Sequence, residues 1–293
     1  MFDIETKSYK SAAKKLNDIT YTDYYYRLML LARSVFKWNN LPPELDEKWI
    51  ERFLFYDGGC IFFKNKTLGN YMVSKATVSG GVNEYDEPIS LMPVFHNAIS
   101  NEFITKPLKN NEECVLIRNN DIYLPTHHTI NLFALRLTDV QRTIDVNIAA
   151  QKTPVIVQCS ERQRVSLKRA IDQKNDNELT IFGDKDLDTS GINALRTDAP
   201  IVFDKLQHQK HEILNECFTF LGINNANMDK RERLVDDEVQ ANNQQIALSA
   251  EVMLKSRQLA CKKINELFGL NISVELRKPV SAIIEDLEGG LDE

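Results

Sequence analysis

No apolar run in this chain approaches the roughly 20 residues that a helix needs to cross a bilayer, which excludes a membrane-spanning helix. The opening stretch MFDIETKSYKSAAKKLN has no apolar core, so no secretion signal is expected and folding in a cytoplasm is. The five cysteines (Cys60, Cys114, Cys159, Cys217, Cys261) form no CxxC pair; such isolated thiols predict unpaired, buried side chains in a reducing compartment. A basic excess is missing too. The net charge of −6 argues against a nucleic-acid coat, though not against a protein that lets nucleic acid pass without gripping it. Enzyme signatures are also absent: there is no GxxxxGK[ST] loop, no GxGxxG after a strand and no HExxH. His208 and His211 could present two metal ligands from one helix but lack a third at useful spacing. His127 and His128 read as a polar turn at a helix start, and Ser160 lies in an ordinary turn with no base to activate it. The expectation is a protein with no catalysis, no cofactor and no metal.

What is present suits a soluble fold: 43% hydrophobic and 27% charged residues over 293 positions, enough for one large or two modest domains. Thr22 to Lys37 reads as a helix, with Tyr25, Leu28, Leu31, Ala32 and Val35 at helical spacing. NNLPPEL stops it, because proline lacks the donor and clashes with the preceding turn. A shorter helix is expected from about Asp46 to Tyr56, burying Trp49, Ile50, Phe53 and Leu54, before DGGC turns the chain. From Ile61 to Pro125 the runs CIFFK, NYMVSKATV, CVLIR and DIYLP read as short strands, with RNNDIY as hairpin-turn chemistry, giving a small sheet or barrel.

Long helices follow. One carries Ile130, Phe133, Leu137, Val140, Ile144 and Ile148 at steps of three or four and is closed by Pro154. Pro154 to Pro200 reads as a β-α-β insert, from PVIVQC through SLKRAIDQK, with Ser166 as its cap, to ELTIF. A further helix, about Ile201 to Leu221, ends at Gly222; Val202, Leu206, Ile213, Cys217 and Phe220 form its apolar side, against Asp204, Lys205, His208, His211, Glu212 and Asn215. The last helix ends at Gly269, LNISVELR alternates as a strand does, and the acidic tail EDLEGGLDE is expected to be disordered. Between the last two helices lies NMDKRERLVDDEVQANNQQ, with eight charges in its first twelve residues. From composition alone it is an exposed helix–helix connection that stays hydrated and cannot collapse onto its neighbours.

WNNLPP, NNDIYLPT, AQKTPV, RTDAP…DKL, FLGINNANMDKRERLVDDEV and LKSRQLACKKINELFGLN recur in order, and on them the chain closely resembles the upper collar, or head–tail connector, proteins of small tailed phages with protein-primed linear genomes. The similarity runs from about Tyr24 to Arg277. These are portal proteins. The resemblance implies an α+β, portal-type fold with long stem helices, a small β-barrel-like wing domain and a β-α-β clip insert, assembled as a dodecameric ring. The division it implies is 1–128 for the wing with N-terminal helices and small β-barrel, 129–153 and 201–222 for the stem helices and 154–200 for the clip. Residues 223–244 would be the channel loop and 245–293 the inner wide-end helix, strand and acidic tail.

Function follows from the same resemblance: a channel for double-stranded DNA at one capsid vertex, serving genome packaging, retention and ejection. Implied partners are a packaging ATPase, packaging RNA, major capsid and scaffolding proteins, and a lower collar or tail protein, but no membrane. The protein would be made in the host cytoplasm and reside in the virion at the portal vertex. Basic rings facing DNA fall at Arg196, Lys205, Lys230 and Arg231, with Arg233 beside them. Relatives tend to carry lysine there, and arginine can grip a phosphate bidentately where lysine acts as a point charge. Asn227, Asp229, Asp236, Asp237 and Glu238 belong to the channel loop. A basic N-terminal cluster that contacts packaging RNA in relatives corresponds to the more diluted Lys7, Lys10, Lys14 and Lys15. Acids following a few cations suit DNA transport, since each neutralised phosphate adds roughly one unit of salt-dependent slope to binding and a uniformly basic bore would stall sliding. The alternatives are a lower-collar or tail adaptor ring that never meets a motor, and a sequence-nonspecific DNA-binding enzyme subunit.

Overall fold

A computed structural model describes residues 8–95, 106–151, 202–224 and 236–277. In chain order the elements are α1 (Ser8–Ser34), β1 (Phe36–Asn39), α2 (Glu47–Asp57), β2 (Gly59–Lys64), β3 (Tyr71–Val82), β4 (Pro88–Val94), β5 (Leu108–Lys109) and β6 (Cys114–Arg118), then α3 (Thr126–Gln151), α4 (Phe203–Leu221), α5 (Asp236–Phe268) and β7 (Ser273–Leu276). This is a mixed helix-and-sheet protein, as expected. The insert at 154–200, with Cys159 and Ser160, lies outside the described residues. No helix among those described is long and apolar enough to cross a membrane.

The chain divides into two compact units, Met1–Asp139 with Lys210–Glu293, and Val140–Gln209. In the smaller unit the described residues are the end of α3 and the start of α4. There Asn147 Oδ1 accepts the Val202 backbone N–H at 3.4 Å, and Arg142 pairs with Asp145 at 2.6 Å.

Among the described residues the larger unit is built on a curled antiparallel sheet, a half-barrel in the order β5-β4-β3-β2-β6 with β5 and β6 at its edges. Strand β2 lies inside the sheet, between β3 and β6, and is buried on both faces. Ile61 and Phe63 pack with Leu91 and Cys114 on one side. Phe62 meets Phe268 of α5, with ring centroids 5.5 Å apart, on the other. Each such side chain taken out of water contributes about 1.5–3 kcal/mol. The second sheet pairs β1 with β7, Phe36 opposite Leu276 and Trp38 opposite Val274, so a segment near the N-terminus closes on one near the end.

Several elements differ from the sequence reading. Helix α1 starts well before Thr22 and stops at Ser34, because Phe36–Asn39 is claimed by β7. DIYLP is a turn. Its backbone is held by carboxamides instead of a strand ladder: Asn120 Oδ1 accepts from Ile122 and Leu124 N–H at 3.2 and 2.9 Å. PISLMPV, which is not among the expected strands, is strand β4; β5 reaches only Ser90 and Leu91, so Pro93 lies beyond the ladder on that side. In α2, Trp49 is exposed and Phe53 half-buried, while Glu51 and Phe55 are buried. Its boundaries fall where expected. Asp46 caps the N-terminus by accepting Lys48 N–H at 2.9 Å, and Gly58 ends the helix at φ 73°. Only glycine fits there, since a Cβ would lie 2.0 Å from the Tyr123 carbonyl oxygen.

Cys60, Cys114, Cys217 and Cys261 are free and buried, in keeping with isolated structural thiols. Burial pushes Cys60 far up, and Cys114, Cys217 and Cys261 up to about 12. Because the thiolate is the nucleophile, we expect no alkylation of these four by iodoacetamide at pH 8 in the folded protein and full alkylation in urea. Peptide mapping by mass spectrometry checks it.

Candidate functional site

Helices α3, α4 and α5 carry the residues of interest. Helix α4 buries Ile213, Cys217 and Leu221 and leaves Asp204, Lys205, His208 and Glu212 exposed, while Val202, Leu206, His211, Asn215 and Phe220 are half-buried, so its division into two faces holds in part. Lys205 stands in its first turn beside Asp204. Towards its end the helix packs on α3 through Phe133 and Phe220, whose centroids are 6.4 Å apart, and Arg136 binds Glu216 at 2.8 Å. On α3, Ile130, Phe133, Leu137 and Ile144 are buried as the stripe predicts, Val140 is half-buried and Ile148 is exposed. Charges on these two helices are mixed. Helix α3 has Arg136 and Arg142 against Asp139 and Asp145, and α4 has Lys205 and Lys210 against Asp204, Glu212 and Glu216. Such a surface is hydrated without being strongly cationic.

The ends of α4 and α5 are fastened together. Gly222 adopts φ 75°, and the next residue, Ile223, donates its N–H to the Phe218 carbonyl at 2.8 Å in a Schellman-type bond. A Cβ placed on it would sit 2.4 Å from the Ala250 Cβ of α5. Beside it, the Ser249 hydroxyl donates to the Phe220 carbonyl at 2.9 Å. The chain therefore leaves at Gly222 and comes back to the same place at Ala250. Helix α5 begins at Asp236, so its residues before that contact carry the chain about 20 Å away. Asp236, Asp237 and Glu238 thus open a helix instead of extending a loop through 244. Acidic residues suit that position, because the helix dipole favours negative charge at an N-terminus. Gly222→Ala should cost about 1–2 kcal/mol for the left-handed backbone alone, with the Ala250 contact adding to it. A lower thermal midpoint that Ala250→Gly partly restores is the expected outcome, measured by circular dichroism.

Of the sequence-predicted site residues, Arg196, Lys230, Arg231, Arg233, Asn227, Asp229 and Lys7 lie outside the described residues. Lys10 and Lys14 stand one turn apart on α1, and Lys14 and Lys15 are exposed. Among the described residues no three His, Cys, Asp or Glu side chains converge to hold a metal. His127 stacks with His128 at 4.0 Å and lies against Tyr56 of α2 at 5.8 Å, in an aromatic seam.

Sequence reasoning missed a buried ionic node. Arg257 of α5 grips Glu51 of α2 with two bonds, Nε to Oε1 at 2.9 Å and Nη2 to Oε2 at 2.8 Å. It also donates to the Asn119 carbonyl at 3.3 Å, Asn119 Oδ1 at 3.1 Å and the Met253 carbonyl at 3.0 Å. Its guanidinium covers the Phe36 ring at 3.9 Å, and Trp38 Nε1 donates to Glu51 at 2.9 Å. One signal could have found it: Arg257 interrupts the α5 stripe of Ile246, Ala250, Met253, Ala260 and Ile264 at a position where an apolar residue is expected.

Comparison with known proteins agrees with this architecture. A family model described as Phage Connector (GP10) matches residues 7–281. Among solved structures, a chain from "Portal and tail of native bacteriophage P68" is 14% identical, with a TM-score of 0.56 over 98% of this chain and 96% of that one. That likeness is one of fold.

Proposed function

This chain belongs to the phage connector family, and from that premise we propose that it acts as a head–tail connector, a portal through which double-stranded DNA enters and leaves the capsid. The observation that carries the reading is the family match across residues 7–281. The role is structural. Capsid and tail are its neighbours, and the portal vertex of the virion is its place.

In the finer reading, copies of the chain form a closed ring of twelve around an aqueous bore. Helices α3 and α4 form its stem, with 154–200 as the clip that seats a packaging ATPase and packaging RNA. The mixed charge of α3 and α4 supports this, because such a wall repels a duplex weakly and binds it weakly. Arg196, Lys205, Lys230, Arg231 and Arg233 would supply thin cationic rings, and the excursion between Gly222 and Ala250 would reach into the bore. Lys205 adds modest support: it sits near a helix N-terminus, where the dipole disfavours a cation and an external anion stabilises it.

Electron microscopy of the purified protein tests the ring. We expect closed rings with a central lumen at micromolar concentration. Monodisperse monomers across a range of salt concentrations would reject this reading.

A further inference from the structure

Helix α1 has two apolar faces, and among the described residues only one is packed against the rest of the unit. Leu28 and Ala32 are buried on the first, and the Tyr21 hydroxyl on that side donates to Asn131 of α3. The second carries Leu16, Ile19, Tyr26 and Leu30, at steps of three, seven and four, all exposed; Leu30 is 62% exposed. Those steps put the four on one narrow stripe about 21 Å long. Exposed Asp23 interrupts the stripe between Ile19 and Tyr26 and pairs with Arg27 on one edge, while Lys15 stands on the other.

Elsewhere in the same unit lies an apolar groove of about 340 Å³, walled by Ile122 and Leu124 of the turn, Thr129 of α3, Phe220 of α4, and Val252 and Met253 of α5. Ile122 is 76% exposed at its rim, and α5 continues the apolar surface with exposed Leu248 and Leu259. Acidic Asp121, exposed, is among its lining residues. Groove and stripe lie on opposite sides of α3. Thr129 lines the groove, whereas Asn131, which receives Tyr21 of α1, is two residues on and so about 200° around the helix.

We propose that the α1 stripe of one subunit seats in the Ile122–Val252 groove of the next copy of this chain. The proposal rests on the ring reading and names the surfaces that close it. A ring needs a heterologous contact, two different patches on opposite sides of one subunit that fit each other. Here the pair is mostly apolar against apolar, with Lys15 beside the stripe and Asp121 in the groove as complementary charges. Left in water, the two patches would be the kind of apolar surface that marks an interaction site.

Two single-sided variants of the full chain test it: Ile19→Glu with Leu30→Glu on the stripe, and Ile122→Glu with Val252→Glu in the groove. All four positions are exposed in the subunit, so circular dichroism should show unchanged folding. Each variant alone should raise the concentration needed for ring formation at least tenfold by mass photometry. Mixed, the stripe variant still has a sound groove and the groove variant a sound stripe, so the mixture should give heterodimers and no rings. Rings from either variant at wild-type concentration would overturn the proposal and leave the ring reading intact. So would a mixture without heterodimers, or variants that form rings but lose binding to packaging RNA. Wild-type protein that never forms rings would overturn both.

Discussion

Arg257→Ala should cost about 3–5 kcal/mol of stability, the scale expected when one partner of a buried ion pair is removed and the other is left uncompensated. The side chains of Arg257 and Glu51 are 2% and 3% exposed, so water cannot take over the lost bonds. Asn119 loses its donor as well, and Phe36 loses the guanidinium that covers its ring. The node ties α5 to α2, to β1 and to the turn after β6, and that turn forms a wall of the apolar groove. Its loss should therefore reach assembly as well as folding. Urea unfolding of the dissociated subunit, followed by far-UV circular dichroism, gives the magnitude. The double variant Arg257→Met with Glu51→Leu separates two causes. If the penalty comes from the orphaned carboxylate, the double variant should recover much of the loss, because apolar replacement of a whole buried pair is often neutral or better. A double variant as unstable as Arg257→Ala would instead place the cost in the bonds to Asn119 and Met253.

That node also shows where reading the sequence stops working. Features fixed by local chemistry were legible. Gly222 and Gly269 end their helices in the left-handed conformation that glycine adopts without steric cost, and the alternation of ISVEL matches β7, with Ile272 and Val274 buried. Features fixed by distant partners were not. FKWN continues the apolar pattern of α1 but pairs with a strand more than 230 residues away, and Glu51 finds Arg257 206 residues along the chain. NNDIYLP has strand-like residues, yet its two asparagines bond the backbone locally and win over the ladder. The candidate site divides in the same way. The hydrated, mixed-charge character of the helix–helix excursion was evident from composition, and its anchoring at Gly222 and Ala250 emerged only from the fold. The basic-ring positions came from the family resemblance, because charge on a helix surface looks the same whether it meets DNA or bulk water.

Deleting Asp229 to Val235 should yield heads that fill but fail to keep their DNA, with the retained fraction falling at least tenfold. The deletion spares Gly222, Ala250 and the start of α5, so the contact that fastens the two helices survives and rings should form as before. What it removes is a segment of three basic residues, Lys230, Arg231 and Arg233, together with two acids, Asp229 and Glu232. In the proposed ring, that small cationic surplus would hold a stationary duplex through many weak phosphate contacts, each of which would be lost easily as the duplex moves. On the proposed reading, filling would be driven by a motor and would tolerate the loss, whereas retention would have no such drive. Lys230→Ala with Arg231→Ala should show the same defect in weaker form, and its retention should depend less on salt, because fewer counterions are released per bound duplex. Nuclease protection of DNA in purified heads, read against salt concentration, measures both. Heads that keep their DNA as wild type does after the deletion would move retention to another part of the ring, and a deletion that abolishes filling would make the segment part of the translocation path instead.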